Sequence, residues 1–287
     1  MTRWRLPFLP PSIMTLYIVA TPIGNLEDIS ERALRILREV DLCFAEDTRH
    51  TLGLFRHFGI RTRLLAYHDH SDAQQIGALL EHLKEGKSAA LVSDAGTPCI
   101  SDPGYTLVRA AHEHDIRVEV IPGASALTAF LSGAGLPTDQ FTFIGFLPTK
   151  ESARQERLDA WLARGGTTVA YESPKRLEKT LRVLEDCAPE AQIVVARELT
   201  KLHETWVRGN PQQVREQLEQ QQGWRGEIVL GMYAPPPEHA DDAALDAWID
   251  ALFAAQLSAS SIARVLAQQL KIPKKRVYQR ALERETD

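Results

Sequence analysis

At 287 residues, with 44% hydrophobic and 25% charged side chains, the chain is long enough for two globular domains and a small appendage. A formal net charge of −5 argues against a uniformly basic nucleic-acid binder but leaves room for a local basic patch. The cysteines Cys43, Cys99 and Cys187 form no CxxC pair, and no apolar run approaches the roughly 18 residues of a membrane helix. We therefore expect a cytoplasmic protein without disulfides, a zinc site or a membrane span.

Residues 1–13 precede the first predicted strand. Pro7, Pro10 and Pro11 interrupt this segment, and its apolar part is too short for a signal peptide. We expect a disordered extension or a start-site artefact, with the folded chain beginning at Met14.

Residues 14–137 alternate short apolar runs with amphipathic helix patterns. The strand-like runs read LYIVATP, DLCFAED, RLLAYHD, AALVSD and IRVEVIPG. The first helix pattern has Asp28 as its predicted N-cap, and the second runs from Thr48 to a closing Gly59. This alternation predicts an α/β domain with a parallel-rich sheet and right-handed crossovers.

Residues 138–234 predict a second α/β domain. Its sheet should be mixed, because two strand-like runs around Val195 and Trp206 follow each other directly. Three prolines indicate an extended linker over residues 235–241. Residues 242–287 carry only helical signals, and a tight turn before the last helix predicts a small all-α, helix-turn-helix-like domain.

Polar or Gly/Pro-rich loops follow the strands of the first domain. They are TPIGN (21–25), EDTRH (46–50), YHDH (67–70), SDAGTP (93–98) and PGASA (122–126). Ligands of open α/β sheets bind at the carboxyl ends of the strands, so these loops should line one cleft. GxGxxG and GxxxxGK[ST] are absent, and SDAGTP and PGASA contain no Lys or Arg. These features favour a ligand with an adenosine part and a zwitterionic tail over a dinucleotide or a simple phosphate.

Seven segments then carry a family resemblance: ATPIGNLEDIS, AEDTRHT, LVSDAGTPCISDPG, IPGASALTAFLSGAGLP, FIGFLP, YESPKRL and ARELTKLHET. Over about residues 14–287 the chain resembles the tetrapyrrole-methylase-type (class III) methyltransferases and, more narrowly, the ribosomal RNA small subunit methyltransferase I group. The resemblance implies two α/β domains of the tetrapyrrole methylase type, S-adenosylmethionine in the cleft between them, and a homodimer. It also implies methylation of a cytidine 2′-hydroxyl at the decoding centre of small-subunit (16S) ribosomal RNA.

The match to the loops of the family predicts the cofactor contacts. The predicted residues are Pro22, Gly24, Asp94, Ala95, Gly96, Pro98, Ser125, Ala126, Phe146 and Tyr171. Porphyrin and corrin methylases more often have GDP where this chain has the start of SDAGTP, and that difference fits the RNA branch.

A ribose hydroxyl is a poor nucleophile, so a base should accept its proton during transfer. The main candidates are Lys201, Glu46, Asp47 and Glu198, with Lys201 preferred because a desolvated lysine can lose its proton. His68, Glu172, His203 and Glu204 are further cleft candidates. Asp47 has an alternative role as the ion-pair partner of Arg49, and Glu172 as a charge at the start of the next helix.

Two groups of cations are predicted to contact RNA. Arg49, Lys175 and Arg176 lie near the cleft, and Lys274, Lys275, Arg276 and Arg280 lie on the last helix. A phosphate-binding stripe is one interpretation, and a solvated basic surface is the other. No spaced set of metal ligands occurs, so we expect no metal.

Two other functions remain open at this point. One is a porphyrin or corrin methylase, against which the basic C-terminal domain argues. The other is an effector-sensing, nucleic-acid-binding regulator, against which the ionisable residues of the cleft argue.

Overall fold

The computed structural model describes residues 14–67, 73–102, 104–221, 223–235, 241–270 and 274–285. The chain forms two compact units. One comprises Met1–Arg157 and Thr167–Tyr233, and the other comprises Leu158–Gly166 and Ala234–Asp287. The predicted extension 1–13, His68 and residues 236–240 of the predicted linker lie outside the described residues. In the described segments, no helix is both long and apolar enough to cross a bilayer.

The first sheet has five strands and five accompanying helices, as the alternating pattern predicts. Its strands are β1 (Thr15–Val19), β2 (Leu42–Ala45), β3 (Arg63–Ala66), β4 (Ala89–Val92) and β5 (Arg117–Ile121), and its helices are α1 (Glu31–Glu39), α2 (Thr48–Phe58), α3 (Ala73–Lys84), α4 (Tyr105–Glu113) and α5 (Ala126–Ala134). The strand order is β3-β2-β4-β1-β5, and the neighbours pair in parallel. The carboxyl ends of all five strands therefore lie at one edge.

Both faces of this sheet are covered, which explains the continuous apolar runs in its sequence. Leu16 and Ile18 of β1 belong to a core cluster with residues of α3 and α4. Tyr17 and Val19 point to the other face and belong to a cluster with residues of α1 and α2.

The second sheet is mixed, as predicted. Its strands are β6 (Phe141–Phe146), β7 (Gly166–Glu172), β8 (Gln192–Arg197), β9 (Thr205–Gly209) and β10 (Ile228–Ala234), and its helices are α6 (Glu151–Arg164), α7 (Pro174–Cys187) and α8 (Pro211–Gln220). The order is β6-β7-β10-β8-β9. The strands β6 and β7 are parallel, and β8 pairs antiparallel with both β9 and β10.

The start of α1 differs from the prediction. Asp28 closes a short 3-10 turn, Leu26–Asp28, whose N-cap is Asn25. The N-cap of α1 is Ser30, whose hydroxyl accepts a hydrogen bond from the Ala33 N–H at 3.1 Å. Both Asn25 and Ser30 can cap a helix start. Ser30 caps α1 because it lies directly before the apolar positions that α1 buries.

The last three helices pack around an apolar core of their own. They are α9 (Asp241–Ala254), α10 (Ala259–Leu270) and α11 (Lys274–Glu285). Ile249, Ile262 and Val277 are fully buried in this core, one from each helix. Its formation agrees with the helical pattern predicted from Leu245 onwards.

Candidate active site

A cavity of about 440 Å³, which we call the first cavity, lies where loops from the first sheet meet the second sheet. Loops after β2 and β4, the start of α5, and the ends of β6 and β7 all contribute to its wall. Seven of the predicted cofactor residues line it: Asp94, Ala95, Gly96, Ser125, Ala126, Phe146 and Tyr171. Asp94, Ala95, Gly96, Ser125 and Ala126 come from loops at the carboxyl ends of the first sheet, whereas Phe146 and Tyr171 come from the second sheet.

The loop after β4 is held in place by backbone contacts. Gly96 and Thr21 exchange two backbone hydrogen bonds of 2.9 and 3.1 Å. Gly96 has φ +84°, and a Cβ there would lie 3.2 Å from Ile23 Cγ2. The Thr97 hydroxyl donates to the Ala124 carbonyl at 3.0 Å, which ties this loop to the next one. Glycine is therefore required both by the backbone angle and by the close approach.

The start of α5 forms a polar patch in the wall of the first cavity. Ser125 is the N-cap of α5, and its side chain makes no capping hydrogen bond within the described chain. The Leu127 N–H in the first turn has a small lowering effect on the pKa of the Tyr171 hydroxyl. An incompletely capped helix start carries partial positive charge and suits a carboxylate.

Aromatic rings form a second part of this wall. Tyr171 meets Phe146 edge to face at 5.4 Å between centroids, and Phe143 at 5.0 Å. Burial and the nearby charge of Asp102 raise the pKa of Tyr171, so its hydroxyl stays neutral. Phe146 remains 60% exposed, which leaves ring surface for a flat ligand.

Pro22 and Gly24 lie apart from the seven predicted cofactor residues that line the first cavity. They line a second cavity of about 480 Å³ together with Arg49, Gly53 and Asp94. Asp94 lines both cavities, so the two meet at its side chain. Pro98 is buried and does not belong to the described lining of either cavity.

Gly24 is also a point of close approach between the β1–α1 loop and the β8–β9 loop. It has φ +149°, and a Cβ there would lie 2.4 Å from Lys201 Cγ. The Lys201 ammonium donates to Glu198 Oε1 at 3.0 Å and lies 3.2 Å from Glu227 Oε2. A larger residue at position 24 would therefore displace this lysine.

The electrostatics of Lys201 run against a role as base. Burial favours the neutral amine, but the hydrogen bonds to Glu198 and Glu227 outweigh it and raise the pKa of Lys201. The Glu227 N–H lowers the pKa of Glu198 against an opposing effect of burial, and Lys201 adds to the lowering. The network thus keeps Lys201 protonated and Glu198 ionised, and neither belongs to the described lining of the first cavity.

Glu46 and Asp47 have different surroundings although they are adjacent. Glu46 lines the first cavity. Asp47 caps α2 through the Arg49 N–H, and its carboxylate also accepts from Arg49 Nε at 3.0 Å and Nη2 at 2.7 Å. These contacts with the Arg49 side chain and N–H lower the pKa of Asp47. Asp47 is therefore the ion-pair partner of Arg49, which is the alternative role that its sequence position predicts.

Glu172 lines the first cavity but is committed to the start of α7. Its fully buried carboxylate accepts from the Ser173 N–H at 2.7 Å, from Arg176 Nε at 2.9 Å and from the Thr180 hydroxyl at 2.9 Å. This is the helix-start role expected as its alternative. Arg176 is held by this pair, and Lys175 beside it is exposed.

The described cations of the last helix fall into two groups, those paired with carboxylates of α9 and those exposed to solvent. Arg280 donates to both carboxylate oxygens of Asp246 at 2.8 and 3.0 Å, and Arg284 to those of Asp250 at 2.6 and 2.5 Å. Arg280 therefore joins α11 to α9, which differs from its predicted role in RNA binding. Lys274 and Lys275 are exposed, and no ion pair of theirs occurs in the part of the chain that the structure describes.

Residues 226–229 line the first cavity but were not predicted. The carboxyl-end rule cannot find them, because they lie just before and at the start of β10. This strand runs antiparallel to β8, so its start pairs with the end of β8 in the register Ile228 to Arg197. Among the described residues, no group of three or more His, Cys, Asp or Glu side chains could hold a metal ion.

The fold agrees with the family comparisons. The profile of the tetrapyrrole (corrin/porphyrin) methylases matches residues 15–215, and that of the RsmI C-terminal HTH domain matches residues 239–285. Diphthine synthase has a similar structure, with a TM-score of 0.62 at 17% identity over 77% of this chain and 90% of that one. Uroporphyrin-III C-methyl transferase from Thermus thermophilus, complexed with S-adenyl homocysteine, gives 0.51 at 19% identity over 76% and 97%. These likenesses define the class of protein as a methylase of the tetrapyrrole type.

Sequence relatives narrow the class. Ribosomal RNA small subunit methyltransferase I of Pseudomonas aeruginosa is 46% identical over 277 residues, which cover 94% of this chain and 98% of the relative. The protein of the same name from Escherichia coli O157:H7 is 45% identical over 275 residues, covering 94% and 95%. The chain belongs to the ribosomal RNA small subunit methyltransferase I family.

Proposed function

We propose that this chain transfers a methyl group from S-adenosylmethionine to the 2′-hydroxyl of a cytidine at the decoding centre of small-subunit ribosomal RNA. The methyltransferase class and the ribosomal RNA substrate follow from the family. The cytidine and its 2′-oxygen come from the resemblance of the seven segments. The observation that carries the proposal is the first cavity, whose wall combines exposed backbone, a helix start and aromatic rings.

The first cavity fits the parts of S-adenosylmethionine. The aromatic surface of Phe146 and Tyr171 suits adenine, and the start of α5 at Ser125 suits the methionine carboxylate. The loop of Asp94, Ala95 and Gly96 contributes to the wall where the ligand would lie. The bound molecule supplies an electrophilic methyl group on a sulfonium, and the protein must present the hydroxyl in line with it.

Glu46 is our proposed acceptor of the hydroxyl proton. Of the four main candidates, the described lining of the first cavity includes Glu46 and does not include Asp47, Glu198 or Lys201. A carboxylate that takes the proton as the oxygen–methyl bond forms avoids a free alkoxide. Lys201 and Glu198 have a structural role in this proposal. Lys201 packs against Gly24 and pairs with Glu198 and Glu227, and these contacts position Glu227 in the wall of the first cavity.

The C-terminal helices are proposed to hold RNA by charge. Lys274 and Lys275 provide exposed cations at the start of α11, while Arg280 is used within the helical unit. Phosphate contacts of this type add affinity that falls with salt. The same resemblance supports a homodimer and a cytoplasmic location, and sedimentation of the purified protein tests the former.

A porphyrin or corrin substrate is supported by fold likeness alone, at 17–19% identity. Methylase activity is tested with isotope-labelled S-adenosylmethionine and purified small subunits, with large subunits as the control. Label in both subunits, or in neither, would contradict the proposal.

A further inference from the structure

We infer that the second cavity binds the target nucleotide of the RNA, splayed out from its strand. This inference rests on the proposed function. The second cavity lies beside the first and shares Asp94 with it, so a ligand in one cavity adjoins a ligand in the other. Its volume of about 480 Å³ lies in the range of small-molecule sites. Proteins that recognise single-stranded RNA accommodate unstacked nucleotides in such pockets.

Arg49 is the residue of the second cavity that can bind a phosphate. Asp47 binds Arg49 through Nε and Nη2, which fixes the guanidinium and leaves Nη1 to donate to a phosphate oxygen. The Arg49 side chain is nevertheless 90% exposed, so a bulky polyanion can reach it. His50 follows on the same turn of α2 and is also exposed.

The rest of the lining suits a nucleoside. Leu26 and Leu54 provide apolar surface for the faces of a base. The loop backbone at Pro22 and Gly24 provides polar edges, whereas the buried Thr21 and Ser93 hydroxyls donate to carbonyl oxygens of the loop after β4. Apolar faces with a few polar groups and one fixed cation match a ribonucleotide better than they match a simple anion.

Gly53 offers a way to block this cavity without disturbing the fold. It lies within α2 and lines the second cavity, and no described atom lies within 4 Å of a Cβ built there. Gly53→Phe therefore adds a ring to the cavity side of the helix. Gly77→Phe is the matched control, because Gly77 lies in α3 with the same open surroundings and outside the described lining of both cavities.

The test compares these variants in methyl transfer to small subunits and in calorimetric binding of S-adenosylhomocysteine. We expect Gly53→Phe to lower kcat/KM for small subunits at least about tenfold. Its affinity for S-adenosylhomocysteine should stay within about twofold of the unmodified protein, with no decrease in Tm. Gly77→Phe should behave like the unmodified protein. Unchanged kcat/KM in Gly53→Phe would overturn the inference.

A direct binding measurement separates this inference from the proposed function. Cytidine 5′-monophosphate is titrated into the full chain saturated with S-adenosylhomocysteine, and into its Gly53→Phe and Arg49→Ala variants. If the unmodified chain methylates no small subunit but both variants lose nucleotide binding, the proposed function fails and the cavity assignment stands. If the nucleotide binds all three proteins equally, or binds none of them, the cavity assignment fails.

Discussion

Replacing Glu172 with Ala should destabilise the first unit severely, because three buried contacts end at this carboxylate. Arg176, whose side chain is only 22% exposed, would lose its counter-charge, and the buried Thr180 hydroxyl and the Ser173 N–H would lose their acceptor. Breaking a buried ion pair costs about 3–5 kcal/mol, and each orphaned polar group about 1–3 kcal/mol. Water reaching Arg176 offsets part of this sum, so we expect a loss of about 3–5 kcal/mol in the free energy of unfolding.

The assay for this prediction is urea denaturation followed by far-UV circular dichroism, with a graded series of variants. Glu172→Gln keeps the shape and can still accept and donate, so its cost should be about 1–2 kcal/mol. Glu178→Ala on the same helix removes an exposed pair with Arg182 and should cost less than about 1 kcal/mol. If Glu172→Ala costs no more than Glu178→Ala, the buried network does not hold the start of α7.

The remaining predictions concern the two ligands. Gly96→Val should weaken S-adenosylhomocysteine binding at least about tenfold in calorimetry, because the side chain meets Ile23 and strains a backbone at φ +84°; unchanged affinity would remove Gly96 from the site. Glu46→Gln should lower kcat about 10²–10⁴-fold at neutral pH with cofactor affinity retained, as a lost general base requires, and an unchanged kcat would exclude Glu46. Lys274→Ala with Lys275→Ala should weaken RNA binding. The slope of log affinity against log salt should fall by about 0.7–0.9 per lost phosphate contact, and an unaltered slope would show that the two lysines do not contact phosphates. Arg280→Ala should instead lower stability by about 1 kcal/mol in urea, since its pair with Asp246 is partly exposed.

The sequence predicted those parts of the site that follow from strand direction. Asp94 and Ser125 lie in the loops that follow β4 and β5, and parallel strands bring such loops to one edge. The approach of Lys201 to Gly24 was not predictable in this way, because it depends on how the β8–β9 loop lies against a loop of the other sheet. The family match predicts a cofactor contact for Pro22, and the structure places Pro22 in the lining of the second cavity. Position along the chain does not tell which side of a loop a cavity occupies.

In the C-terminal helices, the sequence alone does not show which cations remain exposed. The sequence places Lys274 and Arg280 on one helix, so both predict phosphate contacts. Helix packing then sets Asp246 of α9 opposite Arg280 and leaves Lys274 exposed. A run of cations in sequence therefore overstates the charge that a surface offers to RNA.

Nucleoside mapping of methylated small-subunit RNA tests the central claim most directly. Small subunits from cells lacking this activity are incubated with the purified chain and S-adenosylmethionine, and the RNA is digested and mapped by mass spectrometry. The account predicts one new 2′-O-methylcytidine, located at the decoding centre, in the presence of the unmodified chain. A methyl group on a base, on a ribose other than that of cytidine, or on no nucleotide of the small subunit would contradict it.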